Sequence, residues 1–261
     1  VIAIEGCTDS SKLHTVYGLC EGFKSVLIIT HNEMRVKELS DDYRMFDRKV
    51  TTYPARDLMF FQADIRGNEL TQERMKCIRR ILENKPVTII TTFSALMSLQ
   101  VSLKVYKDNI IDISKNSVLD EKSLARKLVM LGYEKNYQVE RPGQFSIRGG
   151  IVDIFDLTEE NPYRIELWGD DVDSIRSFDI DSQRSIEQLS SISVYPATEV
   201  IRTEDELSRG MELITREKDE YEAKLRKAFN TEEAHRIDTI IRQLKEEVLE
   251  FRNTTNTDGY I

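Results

Sequence analysis

Three residues in a short β-rich stretch are of the types that anchor protein interfaces. Arg148 lies in FSIRGG, Arg164 in PYRIEL, and Trp168 follows four positions later. Arginine presents a planar fork of donors that matches a carboxylate, and tryptophan covers a large area at small entropic cost. Arg164, Glu166 and Trp168 alternate with Ile165 and Leu167, so on a strand the first three share one face and the two aliphatic residues point into a core. The functional reading is a docking surface for another protein. The plain reading packs Trp168 on a neighbouring helix and leaves the arginines in surface ion pairs worth ~0–1 kcal/mol.

A second set of residues has the outline of a phosphate site. The apolar run Val1–Glu5 reads as a buried strand, followed by GCTDSSKLH and a helix from about Ser11 to Phe23. A working phosphate loop reads G-x-x-x-x-G-K-[ST]. Gly6 and Lys12 keep the first glycine and the lysine, but Ser11 replaces the second glycine and Leu13 the hydroxyl residue. Leucine cannot ligate Mg²⁺, which takes hard oxygen donors. Asp9 adds a negative charge to a loop that should cradle phosphates, and Ser10 or Ser11 suits a helix cap. An acidic D-E box after an apolar strand is also missing. Asp120-Glu121 and Asp205-Glu206 sit in polar contexts at expected helix starts, where acids favour the macrodipole. No ATPase chemistry, cofactor or metal is expected, and His14, His31 and His235 form no spaced ligand set.

The elements that position these residues follow from periodicity. SVLIIT (25–30), 50–53 and VTIITT (87–92) read as strands, with helices at 33–43 and 70–83 between them and a short helix opening at FSALMS. Near-continuous apolar strands separated by helices predict a parallel sheet covered on both faces. A strand at 109–113 and a helix within 119–133, ended by Gly132, lead into period-two runs from 137 to 180. Gly169-Asp170 signals a tight turn, and Gly149-Gly150 a bulge or positive φ. Helices are expected over 203–229, with Thr203 and Glu206 as a capping box, and over 231–252. Their apolar stripes are Leu207, Met211, Leu213 and Ile214, then Ile237, Ile240, Ile241, Leu244 and Val248, which predicts a helical hairpin packed on the first module.

At 261 residues the chain holds one large domain or two to three small ones, and its net charge of −9 gives no general attraction to nucleic acid. Three scattered cysteines without a C-x-x-C suggest neither zinc nor a disulfide framework, and point to a reducing, cytoplasmic setting. No apolar run is long enough to span a membrane. A start within a strand and a polar end read as a fragment of a longer protein.

FSIRGGIVDIF, then PYRIELWGDDVDSIRSFDIDSQRS and the VYPATE strand end, resemble the N-terminal region of the bacterial transcription-repair coupling factor (Mfd) family. That region is similar to UvrB, the damage-loading subunit of nucleotide-excision repair. The resemblance covers essentially the whole chain. It implies an α/β fold of three modules: a degenerate helicase-like module over 1–117, an inserted α+β module over 118–195 that binds UvrA, and a helical module over 196–261 completing the first. It places the UvrA contacts on Arg148, Arg164 and Trp168, the last often phenylalanine in the family. It implies a non-enzymatic region that recruits UvrA to lesions stalling RNA polymerase, with polymerase and DNA contacts made by other domains of the parent chain. The alternatives are a UvrB-like ATP-dependent loading enzyme and a structural brake on the parent's motor. The UvrB hairpin that enters damaged DNA corresponds here to a short stretch in which Tyr53, Phe60 and Phe61 are expected at the core or rim.

Overall fold

Apolar runs become strands where another run can complete their hydrogen-bond ladder. Ser25–Thr30 (β1), Val50–Tyr53 (β2) and Val87–Thr92 (β3) do so in parallel, in the order β1-β3-β2. The computed structural model describes the backbone of residues 3–55, 64–98, 101–201 and 204–251. Helix α1 (Asp9–Cys20) and α2 (Glu33–Tyr43) cover one face of this sheet, with Leu13, Val36, Tyr43, Val50 and Ile90 in a common cluster. Helix α3 (Asp64–Leu82) lies on the other face, against β2 and β3.

Two expectations are corrected in this module. Ala3–Glu5 forms no strand and is exposed, because no neighbouring strand among the described residues completes its ladder. The sheet is not covered throughout: Leu27 and Ile29 of β1 are half-exposed on the face that α3 covers only over β2 and β3. Tyr53, expected at the core or rim, is a core residue, whereas Phe60 and Phe61 lie outside the described residues.

From α3 the chain continues through α4 (Phe93–Leu96) and α5 (Leu103–Asp108) into β4 (Ile111–Ser114). Helix α6 (Glu121–Met130) begins where Asp120 Oδ2 accepts from the Ser123 amide at 2.8 Å. It ends before Gly132, whose φ of +88° no side chain would favour and where a Cβ would stand 2.8 Å from that of Thr198. A six-stranded sheet follows, built from β5 (Glu134–Lys135), β6 (Gln144–Arg148), β7 (Ile151–Phe155), β8 (Tyr163–Trp168), β9 (Asp171–Phe178) and β10 (Ser185–Leu189). Its strands are consecutive neighbours, antiparallel except for β5 and β6. Finally β11 (Ser191–Val194) pairs with β4 and brings the chain back beside its point of departure.

The two sheets share one core. Met75 and Ile78 of α3 belong to the same cluster as Leu124 and Leu128 of α6 and Phe145, Val152, Ile154, Ile165 and Ile175 of the large sheet. Cys77 of α3 is in it too, and burial pushes its thiol up to about 12. Two arginines of α3 add polar ties. Arg74 is fully buried; its Nε donates to Glu199 Oε1 at 2.7 Å and its Nη1 to the Pro54 carbonyl at 2.6 Å, with Nη2 on the Tyr53 hydroxyl. Arg79 donates to Thr158 Oγ1 at 2.6 Å, pairs with Glu159 and Glu83, and lies 4.6 Å from the Tyr195 ring.

The chain closes with α7 (Glu204–Lys227) and α8 (Thr231–Phe251). They pack on each other through Met211, Ile214 and Ile241, and Lys218 Nζ reaches Asp238 at 2.9 Å. Leu213 and Ile240, assigned to the apolar stripes, are instead substantially exposed. Thr203 and the side chains of Leu207, Leu244 and Val248 lie outside the described residues.

Arg74→Ala should lower stability by about 3–5 kcal/mol, because it removes a buried charge from its pair and several hydrogen bonds at once. Urea unfolding followed by circular dichroism measures this loss.

Candidate partner-docking surface

The large sheet is amphipathic because side chains alternate along its strands. Val152, Ile154, Ile165 and Ile175 face the core and are fully buried. The opposite side carries Arg148, Asp153, Arg164, Glu166, Trp168 and Arg176. Two tight turns bring the predicted trio to it. Gly149 and Gly150, at φ +55° and +83°, join β6 to β7 directly after Arg148. Gly169, at φ +64°, and Asp170 join β8 to β9 directly after Trp168. Gly149-Gly150 is thus a two-residue hairpin turn; irregularities in pairing fall elsewhere, in β9 opposite Glu166 and Leu167 and in β10 between Ser185 and Glu187.

Arg148 and Arg164 meet on one carboxylate. Asp153 is directly opposite Arg164 on the neighbouring strand and is fully buried. Arg164 donates Nε to Asp153 Oδ1 at 2.7 Å and Nη2 to Oδ2 at 2.8 Å, and Arg148 donates Nη2 to Oδ2 at 2.9 Å. Arg164 also reaches Gln183 Oε1 at 2.8 Å and lies over the Phe178 ring at 4.2 Å. The hydrogen bonds to Asp153 raise the Arg164 pKa further. The plain reading of surface ion pairs therefore does not hold for Arg164, which is 13% exposed and compensates a buried charge. Arg148 is more open, at 33%, with Tyr137 beside it at 5.5 Å.

Trp168 is 83% exposed and packs on no helix among the described residues, because it stands at the end of β8 beyond the last β7 pairing. It shares the face of Arg164 and Glu166, as the alternation predicts, and is paired across the turn with Asp171. Arg164 and Arg176 are directly opposite, which would be repulsive if each lacked a counter-ion. Arg176 instead donates to Glu166 Oε1 at 2.7 Å, and Ser174 donates to Oε2 at 2.7 Å. These donors, Arg176 foremost, lower the Glu166 pKa.

Sequence reasoning missed Asp153, Gln183, Tyr137 and the Glu166–Arg176 pair. One signal was present: Asp153 interrupts the apolar run IVDIF on the outward phase, where a lone acid needs cationic neighbours.

The phosphate-loop residues form a different environment. Thr8, not Ser10 or Ser11, precedes α1, and Ser11 Oγ donates back to the Thr8 carbonyl at 3.0 Å. Gly6 takes φ +76° in an exposed turn, Lys12 is exposed, and Leu13 is buried against the apolar cluster of α1 and α2.

Arg164→Ala should cost about 2–3 kcal/mol of stability, since Asp153 keeps Arg148 alone, whereas Trp168→Ala should change it by less than about 0.5 kcal/mol. Urea midpoints compare the two. The lowered Glu166 pKa means its stabilisation is present above the unfolded carboxyl value and lost as pH falls through the folded one. A carboxyl NMR titration should place its midpoint below that of an ordinary glutamate, and Arg176→Ala should move it upward.

A family model described as the UvrB interaction domain matches residues 111–200, from β4 to just beyond β11. A transcription-repair-coupling factor of Bacillus subtilis is 39% identical over 193 residues, covering 73% of this chain and 16% of the relative. One from Staphylococcus haemolyticus is 32% identical over 184 residues, 70% of this chain and 16% of the relative. One from Staphylococcus aureus (strain USA300) is 28% identical over 208 residues, 78% of this chain and 18% of the relative. The chain thus spans about one sixth of the length of the curated relatives it matches. With its UvrB interaction domain and its likeness to these relatives over some three quarters of its length, the chain belongs to the transcription-repair-coupling factor family, as the UvrB-like N-terminal region.

Proposed function

We propose that this chain is a non-catalytic docking region that recruits UvrA to lesions at which RNA polymerase has stalled. One observation carries the reading: Arg148 and Arg164 share Asp153 on the same sheet face as the exposed Trp168, inside the segment matched by the UvrB interaction domain. In this reading the arginines pair with acidic groups of UvrA and Trp168 fills a pocket there. Arg148 and Trp168 are the accessible members, and Arg164 contributes its remaining edge while holding the face together. The module over 118–195 carries the interface, the degenerate helicase-like module over 1–117 supports it, and 196–261 completes the support. Polymerase and DNA contacts belong to other domains of the parent, which acts in the cytoplasm. The buried Leu13 supports a phosphate loop without ATPase function.

The test is titration of purified UvrA against the wild-type chain and the Arg148→Ala and Trp168→Ala variants, with circular dichroism to verify folding. Trp168→Ala should weaken binding at least about tenfold, a loss of ~2 kcal/mol typical of an interface anchor, without lowering the melting temperature. Unchanged binding would place the interface elsewhere. Absence of binding by the wild type would favour an intramolecular brake on the parent's motor. ATP hydrolysis abolished by Lys12→Ala would overturn the non-catalytic reading.

A further inference from the structure

We propose that Asp153 is a positioning residue for this surface, fixing two guanidinium groups before the partner arrives. The proposal rests on the reading above, in which Arg148 and Trp168 contact UvrA. Asp153 is on β7, and its two neighbouring strands each supply one arginine: Arg148 from β6 and Arg164 from β8. Its two oxygens take three charge-assisted hydrogen bonds at 2.7–2.9 Å while the residue is wholly buried. The flanking outward positions on the same strand, Ile151 and Phe155, are apolar, so the acid is a local exception.

The geometry leaves donors for a partner. Arg148 commits Nη2 to Asp153, and its Nε and Nη1 have no partner among the described residues. The trio of two arginines and one aspartate keeps one positive charge in excess, which suits an acidic side chain. Tyr137 flanks Arg148 on one side, and the Gly149-Gly150 turn follows it in the chain. A long side chain ordered in advance does not lose that freedom on binding, which is the basis of affinity from preorganisation.

The experiment measures UvrA affinity well below the melting temperature for wild type, Asp153→Asn, Arg148→Ala and the double variant. Asparagine keeps the shape but removes the charge that holds both forks. Asp153→Asn should bind about tenfold more weakly, as expected for releasing two long side chains. The Arg148→Ala penalty should also shrink in the Asp153→Asn background. A merely structural Asp153 predicts a lower melting temperature, unchanged affinity and the same Arg148→Ala penalty in both backgrounds; that outcome overturns the proposal. Tighter binding by Asp153→Asn also overturns it, since Asp153 would then be screening the arginines. If neither Arg148→Ala nor Trp168→Ala weakens binding of the wild-type chain, the docking reading itself fails and this inference with it. A second measurement needs no variant: side-chain NMR relaxation of Arg148 in the free chain. An ordered guanidinium supports positioning, and a freely mobile one overturns it.

Discussion

A fully buried guanidinium on α3 joins stretches of chain that are far apart in sequence. Arg74 meets Glu199, which lies beyond the whole six-stranded sheet, together with the Pro54 carbonyl at the end of β2. A buried ion pair adds little stability over well-packed apolar residues, but it is intolerant of losing one partner. Its value here is geometric, because it fixes where the chain must return after β11. Arg79, five residues further along α3, clasps Thr158 and Glu159 in the β7–β8 connection. With a core continuous from α3 to α6 and the large sheet, these two clasps hold the sheet in a set orientation to the parallel strands. The outward face of that sheet is thus presented on a firm support, which is what a docking surface requires.

The same face shows how stability and recognition become entangled. Arg164 is chemically suited to bind a carboxylate on another protein, yet most of its donors serve Asp153 and Gln183 within the chain. Truncating such a residue removes fold and contact together, so a lost interaction cannot be read as the worth of the contact. Trp168 is the opposite case. It stands free at a strand end, and the fold has little stake in it.

Much of this was legible in the sequence because local patterns were consistent with the fold. The three parallel strands and α2 fall on their predicted runs, and Arg164, Glu166 and Trp168 share the face that period two assigns. The tight turn at Gly169-Asp170 was visible, as was the positive φ at Gly149-Gly150, though not that the glycine pair closes a two-residue hairpin. What could not be read depended on neighbours. Val1–Glu5 has the apolarity of a strand, but a strand also needs an adjacent ladder, and the described part of that run, Ala3–Glu5, has none among the described residues. Leu27 and Ile29 look as buried as Ile90, yet α3 extends only over the other two strands. The meeting of Arg148 and Arg164 on Asp153 required the register of three strands, which spacing along one strand does not supply.

The burial of Cys77 makes α3 a native reporter of local opening. With burial pushing its thiol well above the ordinary range, the folded chain holds it as the unreactive protonated form at neutral pH. Once exposed in opened chain, the same thiol returns to the ordinary range near 8.5 and becomes a far better nucleophile. Alkylation of Cys77, in a chain whose Cys7 and Cys20 are replaced by serine, therefore counts the openings of the helix that carries Arg74 and Arg79. The helix that joins the two sheets has, three residues from its buried arginine, a chemical clock for its own release.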